Sequence, residues 1–178
     1  LRNRVVFGAH TANMSDMGLP GPRYGAYLQE RALGGAAMIV AEPMPVHPTG
    51  ILTRGNFLCQ SDDIIPGFQK ITEQVKATGT IILQQLYHIG AHGDSDLSFQ
   101  PHWSPSGAPS YHDSDGSHRM TEAEIETLID AHVAAAIRCQ KSGFQGVEVW
   151  AAYHSLLDQF WTPWSNSRDD KWGGTLEN

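Results

Sequence analysis

Apolar positions along the chain fall into two kinds of segment. Short and nearly continuous apolar runs, each four to seven residues long, recur between longer segments in which apolar residues have helical spacing. Continuous short runs are typical of parallel β-strands that are covered on both faces. The pattern therefore predicts four strands, at residues 5–8, 36–40, 80–86 and 146–150.

Three helices are predicted between these strands. The first covers residues 24–33, after the sequence Pro-Gly-Pro at 20–22 and before Gly34, which are helix start and stop signals. The second covers residues 63–78, and Gly79 follows where a left-handed C-terminal cap is favoured. The apolar stripe of this second helix consists of Phe68, Ile71 and Val75.

The third helix has the clearest signal. Thr121 and Glu124 have the spacing of a capping box, and helical periodicity continues as far as the Ser-Gly pair at 142–143. The residues expected on its apolar stripe are Ile125, Leu128, Ile129, His132, Val133, Ala136 and Ile137.

The element order β-α-β-α-β-α-β predicts an α/β protein with a parallel sheet and right-handed crossovers. An open doubly wound sheet and a closed barrel both fit this order. No GxGxxG fingerprint follows any predicted strand, which disfavours a dinucleotide-binding open sheet. The long loops, at 9–22, 42–61, 88–120 and 151–178, all follow strands, as in a (β/α)8 TIM barrel with its active site at that end. Residues 1–178 are therefore interpreted as about the first four βα units of one barrel domain, truncated at both ends.

The composition of the chain disfavours nucleic-acid binding and membrane association. The 178 residues carry a formal net charge of −7, which disfavours nucleic-acid binding because phosphate contacts need clustered positive charge. No apolar run approaches the roughly 20 residues that cross a bilayer, so no membrane association is expected. Cys59 and Cys139 are far apart and have no CxxC spacing, which predicts buried thiols in a reducing compartment, by default the cytoplasm.

Three segments carry a resemblance to a known family. They are V-V-F-G-A-H-T at 5–11, Q-L-Y-H-I-G at 85–90 and L-D-Q-F-W-T-P at 157–163, the last followed by Asn166, Arg168, Asp169 and G-G-T-L-E-N at 173–178. In these segments the chain resembles the Old Yellow Enzyme class of flavin-dependent oxidoreductases. That class includes NADH:flavin oxidoreductases, 2,4-dienoyl-CoA reductases and trimethylamine dehydrogenase.

The resemblance implies FMN, with its isoalloxazine ring over the top of the barrel. Gln85 matches the glutamine that hydrogen-bonds the pyrimidine edge of the flavin, and a side-chain amide suits that edge because it both donates and accepts. Ala9 and His10 match positions where the backbone meets the flavin. Pro43 falls at a third such position, but it has no backbone N–H, so a donor role there is in doubt.

Histidines crowd the third loop, and a metal site is one interpretation of them. The spacing of His88 and His92 would need a helix to bring both rings to one side, and Gly90 and Gly93 disfavour a helix there. We therefore predict no metal, and expect His88 to support the flavin-binding loop. The remaining polar rings are expected at the loop surface: His92, His102, His112, His118 and Tyr111.

The chain departs from the resemblance at the substrate site. Ene-reductase members place His-x-x-His or His-x-x-Asn after the fourth strand to polarise a substrate oxygen, and these positions fall here on Trp150 and Tyr153. His154 is adjacent and would reach the site only through a one-residue shift. The departure favours amine-oxidising members, which hold alkylammonium groups among aromatic rings, where cation–π attraction is worth about 2 kcal/mol when desolvated. Trp161 and Trp164 could contribute to such a site, although core packing is the favoured interpretation for both.

The favoured prediction is therefore FMN-dependent oxidation or demethylation of a small N-methylated amine. Hydride would leave the N-methyl carbon for the flavin, and the resulting iminium would hydrolyse to formaldehyde and a shorter amine. One alternative is an NAD(P)H-dependent ene or enone reductase of the 2,4-dienoyl-CoA type, and another is an incomplete, non-catalytic barrel fragment with unpaired strand edges. A [4Fe–4S] cluster would have to come from residues beyond 178, and homo-oligomer formation stays open.

Two further predictions concern charged residues. Arg168 and Asp169 are interpreted as a structural ion pair in the loop after the fourth strand. Glu148 lies inside that strand, on the face opposite Val147 and Val149, and a carboxylate in a strand interior needs a partner that the sequence does not identify.

Overall fold

The computed structural model describes residues 1–93, 98–110 and 116–175. Four parallel strands form the main sheet in the order β1-β2-β3-β6, and a second pair of short strands, β4 and β5, lies between β3 and β6 in sequence. The strands are β1 (Val6–Phe7), β2 (Met38–Pro45), β3 (Ile81–Tyr87), β4 (Trp103–Ser104), β5 (His118–Arg119) and β6 (Val147–Val149). The helices are α1 (Pro22–Leu33), α2 (Ile65–Lys76), α3 (Glu122–Lys141) and α4 (Leu156–Trp161).

The first two helices form as the sequence predicts. Gly21 is the N-cap of α1 and Pro22 is its first residue, where a missing N–H costs no helical hydrogen bond. α2 buries Phe68 together with the rest of the predicted stripe. Gly79 has φ +79°, so the expected left-handed cap is confirmed.

The apolar stripe of α3 was predicted only in part. Its capping box between Thr121 and Glu124 is present, and Ile125 and Leu128 are buried. The buried side of the helix then continues through Ala135 and Cys139. Three members of the predicted stripe are instead exposed: Ile129, Val133 and Ile137. The helix therefore has apolar residues on two sides, and helical spacing alone does not say which side meets the core.

The sheet has one face against the helices and one open face. Ile39 and Ile82 are fully buried in the core with residues of α1 and α2. Their neighbours alternate to the other face, where Met38, Leu83 and Gln85 are only half-buried. The open face therefore includes Gln85, near the carboxyl end of β3.

Most boundaries differ from the prediction by one or two residues, and the larger differences lie after the strands. β2 continues to Pro45 across an irregularity in register between Ala41 and Met44, so the segment predicted to be the start of a long loop is still strand. Such a bulge lets a proline remain within a strand. The loop after β3 contains β4 and β5, and the loop after β6 contains the short helix α4.

Both cysteines are free and buried, as predicted. Their burial raises the pKa of the Cys59 thiol to about 11, although Arg138 acts in the opposite direction. Within the described residues, no helix is both long and apolar enough to cross a membrane.

Candidate active site

The ends of β3 and β6 bring Gln85 and Glu148 together on the open face. The two residues are register partners in the parallel ladder. Gln85 Nε2 donates a hydrogen bond of 2.5 Å to Glu148 Oε1. The partner that Glu148 requires is therefore Gln85, the residue for which flavin contact is expected.

Aromatic rings follow directly after β6. The backbone N–H of Trp150 donates to the carbonyl oxygen of Leu86, which extends the strand pairing past the last residue of β6. The ring of Trp150 stacks on Tyr153, with centroids 6.4 Å apart and an interplanar angle of 21°. The Trp150 ring also lies 5.2 Å from the ring of Tyr87. The structure therefore brings Trp150 and Tyr153 together as one aromatic surface, and Tyr153 is 74% exposed.

His154 adjoins this surface, and the centroid of its ring lies 6.0 Å from that of Tyr153. Tyr153 and His154 both have positive φ, at 57° and 60°, so the chain turns sharply here. The backbone N–H of His154 donates to Asp158 Oδ2, and its Nδ1 lies 3.7 Å from the same oxygen. The imidazole is therefore held towards Asp158 in the first turn of α4.

Gln159 fixes the loop after β6 to the loop after β3, a role that the sequence analysis missed. Its buried amide donates to the carbonyl oxygens of Ile89 and His154 and accepts from the N–H of Ala91. The only sequence signal was its place in the L-D-Q-F run at 157–160. That run carries the family resemblance but does not say where the amide points.

The loop after β1 is fastened to the end of β2. Glu42 is buried, and its Oε2 accepts hydrogen bonds from the N–H groups of Ala12 and Asn13. Burial raises the pKa of Glu42 to about 7, although these two hydrogen bonds act in the opposite direction. Ala9 is half-buried in this loop, and the exposed His10 ring contacts the hydroxyl of Tyr27 at 2.8 Å.

Pro43 is buried within the bulge of β2. A proline has no N–H to offer, so only its carbonyl and its ring are available to a ligand. Direct hydrogen-bond donation to a cofactor from this residue is therefore impossible.

His88 lies beneath the loops in a buried chain of hydrogen bonds. Its Nδ1 accepts the N–H of Gly90 at 3.0 Å, so its Nε2 carries the proton and donates to Thr49 Oγ1 at 3.0 Å. Thr49 Oγ1 in turn lies 2.8 Å from His47 Nδ1. Burial lowers the pKa of His88 well below its usual range. The neutral ring therefore joins the loops after β2 and β3.

The predicted surface position of the other loop histidines is wrong for His102. It is buried, with its Nδ1 3.2 Å from the carbonyl oxygen of Thr49. His118 instead lies near the surface and pairs with Glu124. His112 and Tyr111 lie outside the described residues. Within the described part of the chain, no group of three His, Cys, Asp or Glu side chains is placed to hold a metal ion.

Two further predictions need correction. Trp161 and Trp164 do not pack in the core, because they are 69% and 94% exposed. Arg168 pairs with Asp170, with Nη2 2.5 Å from Oδ2, and not with Asp169. Asp169 is exposed and pairs with Arg119. The carboxylate that meets the Arg168 guanidinium is that of Asp170, two residues after Arg168.

The parallel sheet presents an amide, a carboxylate and stacked aromatic rings at the carboxyl ends of its strands, where barrel enzymes place their active sites. The chain belongs to the NADH:flavin oxidoreductase / NADH oxidase family, whose model matches residues 1–178. It has the α/β fold of the family's (β/α)8 barrels and supplies about four of their βα units.

Individual relatives agree with this family. A probable N-methylproline demethylase of Rhizobium meliloti (strain 1021) is 35% identical over all of this chain and 26% of its own length. An NADPH dehydrogenase of Bacillus velezensis is 34% identical over all of this chain and 52% of its own length. The solved structure of the Old Yellow Enzyme homologue from Zymomonas mobilis superposes with a TM-score of 0.91 at 28% identity, covering 99% of this chain and 52% of that one. The chain thus spans from about a quarter to about half the length of these proteins.

Proposed function

We propose that the chain is the N-terminal half of a single FMN-binding barrel domain, and that the full-length protein oxidises or demethylates a small N-methylated amine. The observation that carries the choice of substrate is the aromatic surface formed by Trp150 and Tyr153. In the ene reductases that the chain resembles, these two positions hold the His-x-x-His or His-x-x-Asn pair that hydrogen-bonds the substrate oxygen.

The residues at the strand ends fit FMN. The Gln85 amide can donate and accept, as the alternating carbonyl and N–H groups of a flavin pyrimidine edge require. Ala9 and His10 would meet the flavin through their backbone, and Pro43 would contribute packing alone. His88 is buried, so it would act indirectly, by holding the loop that follows Gln85.

Trp150 and Tyr153 suit an alkylammonium group better than a carbonyl oxygen. Stacked aromatic rings attract a cation through their π faces, and this attraction grows when the site excludes water. The carboxylate of Glu148, two residues before Trp150, adds negative charge on the same side of the sheet. A neutral enone gains nothing from either feature.

The chain's own residues bind and orient the substrate. Trp150 and Tyr153 would hold the neutral amine at the hydride-transfer step and stabilise the iminium cation that hydride loss leaves, and the left-handed turn at Tyr153 fixes where its ring lies. When bound, FMN supplies the redox chemistry by accepting a hydride from the N-methyl carbon. The name of the Rhizobium relative supports this substrate class.

A second candidate is an NAD(P)H-dependent ene or enone reductase. The exposed Tyr153 could donate its hydroxyl hydrogen to a substrate oxygen, and His154 is the adjacent residue. The Bacillus relative is named for NADPH, which supports a nicotinamide electron donor. This chain has only two cysteines, so a [4Fe–4S] cluster with four cysteine ligands would need residues from elsewhere.

A third candidate is that the 178 residues alone form a non-catalytic fragment. Val147 and Val149 of the edge strand β6 are exposed, as is Ile137 on α3. An uncovered strand edge with apolar neighbours favours association with other chains. Size-exclusion chromatography and flavin absorbance of these residues alone test this candidate, and a yellow monomer would contradict it.

The amine proposal is tested by anaerobic flavin reduction in the full-length protein. We expect N-methylproline or dimethylamine alone to bleach the flavin absorbance. Replacing Trp150 by leucine should slow this bleaching at low amine concentration by at least tenfold, because about 2 kcal/mol of cation attraction is lost.

The same protein is then mixed with NADPH, followed by cyclohexenone. Bleaching by NADPH and reoxidation by cyclohexenone, with no response to either amine, would establish the reductase and contradict the proposal. Trp164→Leu is the matched control, since it removes an exposed tryptophan that lies outside the aromatic surface.

A further inference from the structure

Glu148 and Gln85 form a side-chain pair that the strand pairing does not require. Backbone hydrogen bonds already join the two strands, from Gln84 N–H to the Gly146 carbonyl oxygen and from Gln145 N–H to the Ile82 carbonyl oxygen. The ladder brings Gln85 and Glu148 side by side, and their side-chain contact is an additional hydrogen bond on the open face.

The pair determines which way the Gln85 amide faces. A glutamine amide can rotate by 180° to exchange its oxygen and nitrogen, which differ in hydrogen-bonding role. A carboxylate only accepts, so Glu148 holds the nitrogen side and leaves Oε1 facing the other way. One of the two N–H groups of Gln85 is used in this contact, and the other stays available.

We propose that Glu148 is a positioning residue for the flavin. By fixing the Gln85 amide it presents a carbonyl oxygen and one N–H to the pyrimidine edge in a single order. It also places a carboxylate beside that edge. This inference rests on the proposed function, because it requires that FMN binds at Gln85.

Two effects follow and can be separated. Without the Glu148 carboxylate, the Gln85 amide is free to rotate. A hydrogen bond to a charged group is worth about 1.5 kcal/mol or more, and a loss of that size in FMN binding corresponds to about tenfold in affinity. Loss of the negative charge removes repulsion from the electron-rich reduced flavin, which makes its midpoint potential more positive. A merely structural role in the sheet would change neither property.

The test uses FMN affinity, measured by fluorescence titration, and the flavin midpoint potential of the full-length protein. Glu148→Leu should bind FMN about tenfold more weakly, whereas Glu148→Gln should be intermediate because its amide oxygen can still accept. Both variants should shift the potential in the positive direction. Glu30→Gln, which removes the same charge from an exposed position in α1, should change neither property.

A double-mutant cycle with Gln85→Leu completes the test. In the Gln85→Leu background, Glu148→Leu should weaken FMN binding by less than twofold, because the amide that it orients is gone. An unchanged affinity and potential in Glu148→Leu, or a full tenfold loss in the Gln85→Leu background, would overturn the positioning role. Wild-type protein that does not bind FMN at all would instead overturn the proposed function.

Discussion

Replacing Arg168 by alanine is expected to lower the free energy of unfolding by about 3–5 kcal/mol. The guanidinium is buried, with only 5% of the residue exposed. Its Nη1 donates to the carbonyl oxygens of Pro105 and Met120 at 2.7 and 2.6 Å, and its other nitrogens pair with Asp170. Alanine would leave two carbonyl groups without their buried donor and the partly exposed Asp170 carboxylate without its partner.

Urea denaturation of the full-length protein measures this loss. Arg119→Ala is the matched control, because Arg119 is half-exposed and pairs with the almost fully exposed Asp169 at 3.4 Å. Exposed ion pairs contribute about 0–1 kcal/mol, so the control should remain close to wild type. Equal losses in the two variants would show that Arg168 does not join the segments around β4, β5 and α4.

The second large effect is expected for Gly90→Ala. Gly90 has φ +73°, and a Cβ there would lie 2.3 Å from both Nε2 and Oε1 of Gln159. The amide cannot withdraw without giving up its hydrogen bonds to Ile89, Ala91 and His154. Backbone strain and broken buried hydrogen bonds together predict a loss of about 3 kcal/mol.

Thermal unfolding and FMN titration check the Gly90 variant. Because Gln159 joins the loops after β3 and β6, FMN affinity and amine reactivity should fall along with stability. Gly116→Ala provides the control, since a Cβ at Gly116 would meet no atom of the described residues within 4 Å. If both alanine variants unfold at the same temperature, Gln159 does not bind the two loops as tightly as the structure indicates.

The sequence predicted the fold well where the signals are local. The Thr121 capping box, the proline at the start of α1 and the left-handed Gly79 each depend on a few neighbouring residues, and each is confirmed. The exposed side of α3 was not predictable in the same way. Ile129 and Val133 have helical spacing with Ile125, and only the positions of β3 and α2 decide which side is covered.

Candidate site residues could be proposed from the sequence, but their contacts could not. Trp150 and Tyr153 were identified from their distance to the L-D-Q-F run, and the structure adds that their rings stack with centroids 6.4 Å apart. The partner of Glu148 depends on the register between β3 and β6, which are separated by about 60 residues of chain. The hydrogen bonds of Gln159 likewise depend on how the loops after β3 and β6 pack against each other, which the local sequence does not indicate.

The most direct measurement is a crystal structure of the full-length protein with FMN. We expect the pyrimidine edge of the flavin within hydrogen-bond distance, about 2.7–3.2 Å, of the Gln85 amide. We also expect the Trp150 and Tyr153 rings beside the reactive face of the flavin. A flavin bound away from the carboxyl ends of β3 and β6, or a Gln85 amide turned away from it, would contradict the account.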